Sequence, residues 1–153
     1  MVREAKREEL MEILELYLQL HETRIPEQNE QLDEIWNQIM SDENHHIIVN
    51  EVDGRIVSSC VCVIIPNLTR SLRPYALVEN VVTHEDHRKK GYAGQCLEYA
   101  KVIAEKKNCT RLMLLTGSKD PETFRFYENA GYNRGDKTAF VQWLGEPVKR
   151  RHK

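Results

Sequence analysis

One stretch fixes most of what this chain can become. Residues 75–83 are a run of β-formers ending in Val81, Val82 and Thr83. A polar bend follows, then the basic turn Arg88-Lys89-Lys90-Gly91-Tyr92-Ala93-Gly94. Next comes a segment whose Ala93, Cys96, Leu97, Ala100, Ile103 and Ala104 recur at helical spacing, and after it the apolar run 111–116. The spacing predicts a helix over Tyr92–Lys106 and a βαβ unit around it. The second strand is apolar enough to be central and buried on both faces. The turn carries its own chemistry. Backbone N–H groups converge there at the positive end of a helix dipole. Two glycines and an alanine leave no bulky side chain in the way, and three adjacent cations add charge. The natural guest is a phosphate or pyrophosphate.

The first half of the chain reads differently. Residues 2–5 form a short strand, and 6–20 a helix with Leu10, Ile13, Leu14 and Tyr17 on one stripe. Ile25-Pro26 breaks it, and 31–40 forms a second helix through Leu32, Ile35, Trp36 and Ile39. Strands over 46–51 and 55–65 flank Val52-Asp53-Gly54-Arg55, a strong hairpin signal. After the βαβ unit come a helix over 121–130, with proline in its first turn and Gly131 at its end, and a last strand over 138–144. The expected order is β-α-α-β-β-β-α-β-α-β: an α+β domain with a mixed sheet over residues 1–145, then a basic tail, 146–153.

Composition narrows the function. A chain of 153 residues that is 41% hydrophobic can bury a core as one domain. Its net charge of −2 argues against a nucleic-acid binder, so a local basic turn points to a small anion. No run approaches a membrane span, and the N-terminus lacks the apolar core of a signal peptide. Cys60, Cys62, Cys96 and Cys109 show no CxxC pair and read as reduced thiols, so the expectation is a cytoplasmic protein. Six histidines without HExxH or paired spacing give no metal site.

At this point the residues resemble a known family. Arg88-Lys89-Lys90-Gly91-Tyr92-Ala93 fits [Q/R]-x-x-G-x-[G/A], the acyl-CoA pyrophosphate loop of the GNAT N-acetyltransferases. Phe126-Tyr127-Glu128-Asn129-Ala130-Gly131-Tyr132 resembles that family's FYxxxGF segment, and the elements between the two match in order. The likeness is specific over 78–141. It departs at His87, where an aromatic is usual, and at Asp120, near where many members place an asparagine against the pantetheine arm.

The resemblance implies an enzyme binding acetyl-CoA and an amine acceptor, with direct acetyl transfer in a ternary complex and no covalent intermediate. Backbone groups of Arg88, Lys89, Lys90, Gly91, Tyr92, Ala93 and Gly94 would hold the pyrophosphate. Splayed N–H groups at Val81, Val82 and Thr83 would receive the thioester carbonyl. Tyr127 would protonate the leaving thiolate. For the base, Glu79 stands in an apolar strand where burial would raise its pKa, a solvent-facing strand position being the alternative, with His84 second. Acids at Glu22, Glu27, Glu30, Asp33 and Glu34 would favour a cationic amine or else form a solvated face, and Tyr17, Trp36 and Tyr75 could line an apolar slot or equally pack in the core. A silent CoA-binding sensor and a transferase for longer acyl-CoAs are the rivals. The acceptor's identity and a homodimer formed through strand edges stay open.

Overall fold

The computed structural model describes residues 1–145. They fall into two compact units, one ending at Leu114 and one beginning at Leu115. The first unit holds β1 (Val2–Glu4), a 3₁₀ turn (Arg7–Glu9), α1 (Leu10–Tyr17), α2 (Glu30–Ser41), β2 (His45–Val52) and β3 (Arg55–Ile65). One turn, α3 (Thr69–Leu72), then leads to β4 (Tyr75–Thr83), a 3₁₀ turn (Glu85–His87), α4 (Tyr92–Lys106) and β5 (Leu112–Leu114). The second unit holds α5 (Pro121–Asn129).

The sheet runs β1-β2-β3-β4-β5. Its first three pairings are antiparallel and the last, β4 with β5, is parallel across the α4 crossover. The α+β class and the mixed sheet are therefore as expected. Strand alternation sorts the core into two layers. Ile13, Leu16 and Trp36 of α1 and α2 close over Ile47, Val49, Ile56, Val61 and Val82. The other face of the sheet presents Ile48, Cys60, Cys62 and Val78, all buried, and α4 packs there through Cys96, Leu97, Ala100 and Ala104.

Local chemistry explains the boundaries. The side chain of Asn29 accepts the Leu32 N–H at 3.1 Å and starts α2. Asp53 and Gly54 both take positive φ, +51° and +76°, as a two-residue hairpin turn requires. The N-terminal helix is shorter than its apolar stripe, because 7–9 wind as a 3₁₀ turn and α1 stops at Tyr17.

Two expectations fail. β5 is the last strand in the sheet order and its three residues are only half-buried, so it is not a central strand buried on both faces. Residues 138–144 form no strand: Phe140, Val141 and Leu144 lie exposed on irregular backbone. Alternating β-formers make a strand only where a neighbour supplies the ladder, and none pairs with them among the described residues. The expected basic tail lies outside the described residues.

At one end of the sheet, Arg3 ties β1 to the start of the first helix and to β2. Its guanidinium binds Glu9 and reaches Glu51 at 2.9 Å. This pairing, above all the hydrogen bond from Arg3, holds the Glu9 carboxyl below the usual carboxylate range. The folded state thus binds that proton more weakly than the unfolded state does. The stabilisation is full above the ordinary value of 4.5 and is lost as pH falls through the lower folded value. Glu9→Gln should destabilise the fold by about 1–2 kcal/mol at neutral pH, within the range for charge-assisted hydrogen bonds. The deficit should close in acid, as urea unfolding at successive pH values would show.

Candidate active site

The basic turn has the backbone geometry of a nest. His84 opens it: its Nδ1 accepts the Asp86 N–H at 3.2 Å and caps the 3₁₀ turn. Arg88 Nε donates to the Thr83 carbonyl at 3.3 Å, tying the turn back to β4. Lys89 and Gly91 take φ of +61° and +84°. Left-handed residues alternating with others turn successive N–H groups inward, as in an anion-binding nest. Gly91 is the N-cap of α4 and offers no side chain to the first-turn amides, which carry no acidic neighbour either. Those amides are the donors a helix leaves unsatisfied at its N-terminus. A Cβ added at Gly91 or Gly94 would meet nothing within 4 Å, so the space before the turn is open. His87 packs between the rings of His84 and Tyr92, at 5.9 and 6.2 Å, and so fills the aromatic place with an imidazole.

β4 opens toward this turn. Its parallel ladder with β5 ends at Val78↔Leu114, but the strand continues for Glu79, Asn80, Val81, Val82 and Thr83. Against β3 the ladder is kept by a bulge: Ser59 pairs with Val82 and Val61 with Glu79, so Asn80 and Val81 together face Cys60. The His84 N–H donates to the Val57 carbonyl on β3. By strand alternation the N–H groups of Val81 and Thr83 point the other way, to the side that β5 has left. Ser58 braces this end, donating to the Val82 carbonyl at 2.9 Å and meeting the Thr83 hydroxyl at 2.8 Å.

The catalytic candidates are placed unequally. Glu79 is exposed on β4, at the first position beyond the β5 ladder. Of the two positions open to it, Glu79 takes the solvent-facing one. His84 commits its Nδ1 lone pair to the cap. A neutral imidazole has one such lone pair, so His84 is a poor base while the cap holds. Tyr17 and Trp36 belong to the core rather than to a slot, with Trp36 Nε1 donating to the Arg7 carbonyl at 3.0 Å. Tyr75 lies under the Arg111 guanidinium at 4.3 Å. The acids Glu22, Glu27, Glu30, Asp33 and Glu34 are all solvent-exposed.

In the second unit, Tyr127 is half-buried on α5, its ring 5.0 Å from Phe126 and 6.3 Å from Tyr132. Gly131 has φ +98° and ends the helix as expected. Asp120 caps it, its carboxylate accepting the Glu122 N–H at 2.9 Å. That cap is the work Asp120 does here.

The cysteines stay protonated. Burial pushes the Cys60 thiol up strongly, Cys62 to about 12 and Cys96 to about 11, and raises Cys109 as well. None has the thiolate character of a nucleophile. No group of three metal-ligating side chains occurs among the described residues, and no helix there is long and apolar enough to cross a membrane.

Some contributors escaped the sequence reading. Asn50 is buried on β2 and donates to the Tyr92 carbonyl at 3.2 Å and to Gln95 Oε1 at 2.8 Å, fixing the first turn of α4 against the sheet. A polar residue in an apolar strand was its signal. Ser58 and the bulge at Asn80 left none, since each looks like ordinary strand sequence.

Comparison with known proteins follows this geometry. Residues 8–132 match the model of the acetyltransferase (GNAT) family. A solved structure named "Putative acetyltransferase from Agrobacterium tumefaciens str. C58" is 34% identical, with a TM-score of 0.87 over 94% of this chain and 99% of its own. Glucosamine-6-phosphate N-acetyltransferase from Arabidopsis thaliana superposes with a TM-score of 0.82 at 20% identity, over 95% and 98% of the two chains. A transcriptional regulator from Bacillus halodurans C-125 does so with a TM-score of 0.81 at 23% identity, over 94% and 99%. The last two likenesses are of fold alone. No curated protein matches the sequence.

Proposed function

The chain belongs to the acetyltransferase (GNAT) family and is an acyltransferase, and from that premise we propose that it transfers an acetyl group from acetyl-CoA to a primary amine by direct attack in a ternary complex. One observation carries the reading: β4 leaves its β5 partner and runs straight into a basic turn whose glycine cap leaves the α4 amides free of side-chain partners. A long ligand with a pyrophosphate at one end and a carbonyl at the other fits that demand. The pyrophosphate would meet the amides of Arg88, Lys89, Lys90, Gly91, Tyr92, Ala93 and Gly94. The thioester would lie along Val81, Val82 and Thr83, where the outward N–H groups of Val81 and Thr83 would stabilise the tetrahedral oxyanion; the Val82 N–H faces Ser59 on β3 instead and is not a free donor, contrary to the expectation for it. Preorganised donors of this kind supply much of the rate in acyl transfer.

The thiols support direct attack. Burial raises all four cysteines, so none is poised to form an acyl-cysteine intermediate. The acceptor must then shed a proton, since an alkylamine has a pKa near 10.4, like lysine. Glu79, exposed beside the splayed strand, would take that proton through water. Tyr127 would give a proton to the departing thiolate, whose conjugate acid lies near the cysteine value of about 8.5. The exposed acids of α2 and the loop before it would favour a cationic amine.

Calorimetry with acetyl-CoA, followed by thiol release against a panel of primary amines, tests the whole reading. Micromolar binding with amine-dependent release would support it, binding without release would leave a CoA-binding module, and no binding would overturn it. Gly91→Glu should abolish binding by charge and bulk at the pyrophosphate. Tyr127→Phe should lower turnover at least tenfold, general acids typically contributing about 10²–10⁴, with CoA affinity kept. Glu79→Gln should be most impaired at low pH, where the amine is protonated, and recover as the amine deprotonates unaided. An unchanged pH profile would remove Glu79 as the base.

A further inference from the structure

The 3₁₀ turn Glu85–His87 joins β4 to the basic turn, and each of its three amides has a partner. The His87 N–H donates to the His84 carbonyl at 2.9 Å. The Asp86 N–H donates to His84 Nδ1 at 3.2 Å. The Glu85 N–H, the first of the turn, is the kind of donor that a helical turn leaves orphaned at its start. It donates to Gln19 Oε1 at 3.3 Å, on a residue 66 positions earlier in the chain. A side-chain oxygen that meets a first-turn amide is a cap. Here the cap comes from a different element.

The backbone beneath that cap is held in place. α1 ends at Tyr17, but the chain keeps turning. The Gln19 N–H donates to the Leu16 carbonyl and the Leu20 N–H to the Tyr17 carbonyl, both at 2.9 Å. Leu20 packs against the core cluster, and Gln19 is half-buried. The other end of the entry turn is held as well. The His87 ring lies 6.2 Å from that of Tyr92, the first residue of α4. Arg88, which follows, is tied back to Thr83. The turn is thus pinned to α4 at one end and to the end of α1 at the other.

We propose that Gln19 is a positioning residue for the basic turn: by capping Glu85 it keeps the entry turn formed, and so holds the amides of residues 88–94 in place before the ligand arrives. This rests on the acyl-CoA reading above. The effect runs through the turn and not through contact with the ligand. Losing the cap lowers the fraction of molecules in which the turn is formed, and apparent affinity falls in proportion to that fraction.

The test is a mutant cycle read by calorimetry with CoA. Gln19→Met keeps the length of the side chain and removes its oxygen. Glu85→Pro removes the N–H instead. Proline suits the first position of a helical turn, and His84, at φ −55° and ψ 138°, already has the extended conformation required before it. Glu85→Ala controls for the lost carboxylate while keeping the N–H. In the wild-type and Glu85→Ala backgrounds, Gln19→Met should weaken CoA binding about three- to fivefold, within the reach of a single hydrogen bond. In the Glu85→Pro background it should change nothing, because the bond is already gone and proline itself fixes φ there. A packing role for Gln19 would cost the same in all three backgrounds. Thermal melts would verify folding, and Gln19→Ala repeats the cycle if the methionine variant does not fold. An equal cost in the proline and alanine backgrounds, or no cost in either, would overturn the cap while CoA still binds the wild type. Failure of the wild type to bind CoA would instead overturn the acyl-CoA reading and the cap with it.

Discussion

The parallel ladder between β4 and β5 stops too soon, and the site depends on that. After Val78↔Leu114 the two strands no longer pair, while β4 stays hydrogen-bonded to β3 through Thr83. A buried backbone cannot leave donors unmet without cost. Here the outward amides of Val81 and Thr83 lie beyond the end of the ladder, on residues that are only half-buried. A ligand with a carbonyl and amides of its own can complete what β5 abandons. The bulge at Asn80 and Val81 sets the register of the remaining residues, and Ser58 pins the end of the strand from β3.

The second constraint is charge without bulk. α4 begins at a glycine in a left-handed conformation, so its first amides have neither a capping side chain nor an acid beside them. Arg88 is tied back to Thr83 and Lys90 Nζ to the Asp86 carbonyl at 3.4 Å, so two of the cations also shape the turn that they charge. Asn50 anchors the same helix turn from the buried side of the sheet. The basic turn and the unpaired end of β4 are thus held by one unit of the fold, with β2, β3 and β4 bracing both.

Much of this was legible beforehand because it is local. The Asp-Gly hairpin, the amphipathic α2 and α4, the basic turn and the glycine ending α5 each follow from the preferences of a few adjacent residues. Pairing is not local, and there the reading broke down. Residues 138–144 alternate like a strand yet find no ladder partner among the described residues. The run around Leu112–Leu114 looks like a buried centre but stands last in the sheet order. Glu79 looked desolvated because its sequence neighbours are apolar, but strand alternation and the end of β5 leave it in solvent. Asn80 gave no signal, since nothing in its own stretch announces a left-handed residue at a bulge.

What the sequence by itself determined is the set of elements and the chemistry of the turn. Periodicity marks the helices and strands, glycine and cationic residues mark an anion site, and both are written within a few residues of each other. What only the tertiary structure decided is where β4 parts from β5, where its bulge falls, and which of its amides face away from β3. Those depend on hydrogen-bond register between segments far apart in the chain, and a shift of one residue in that register would turn the same side chains and amides the other way.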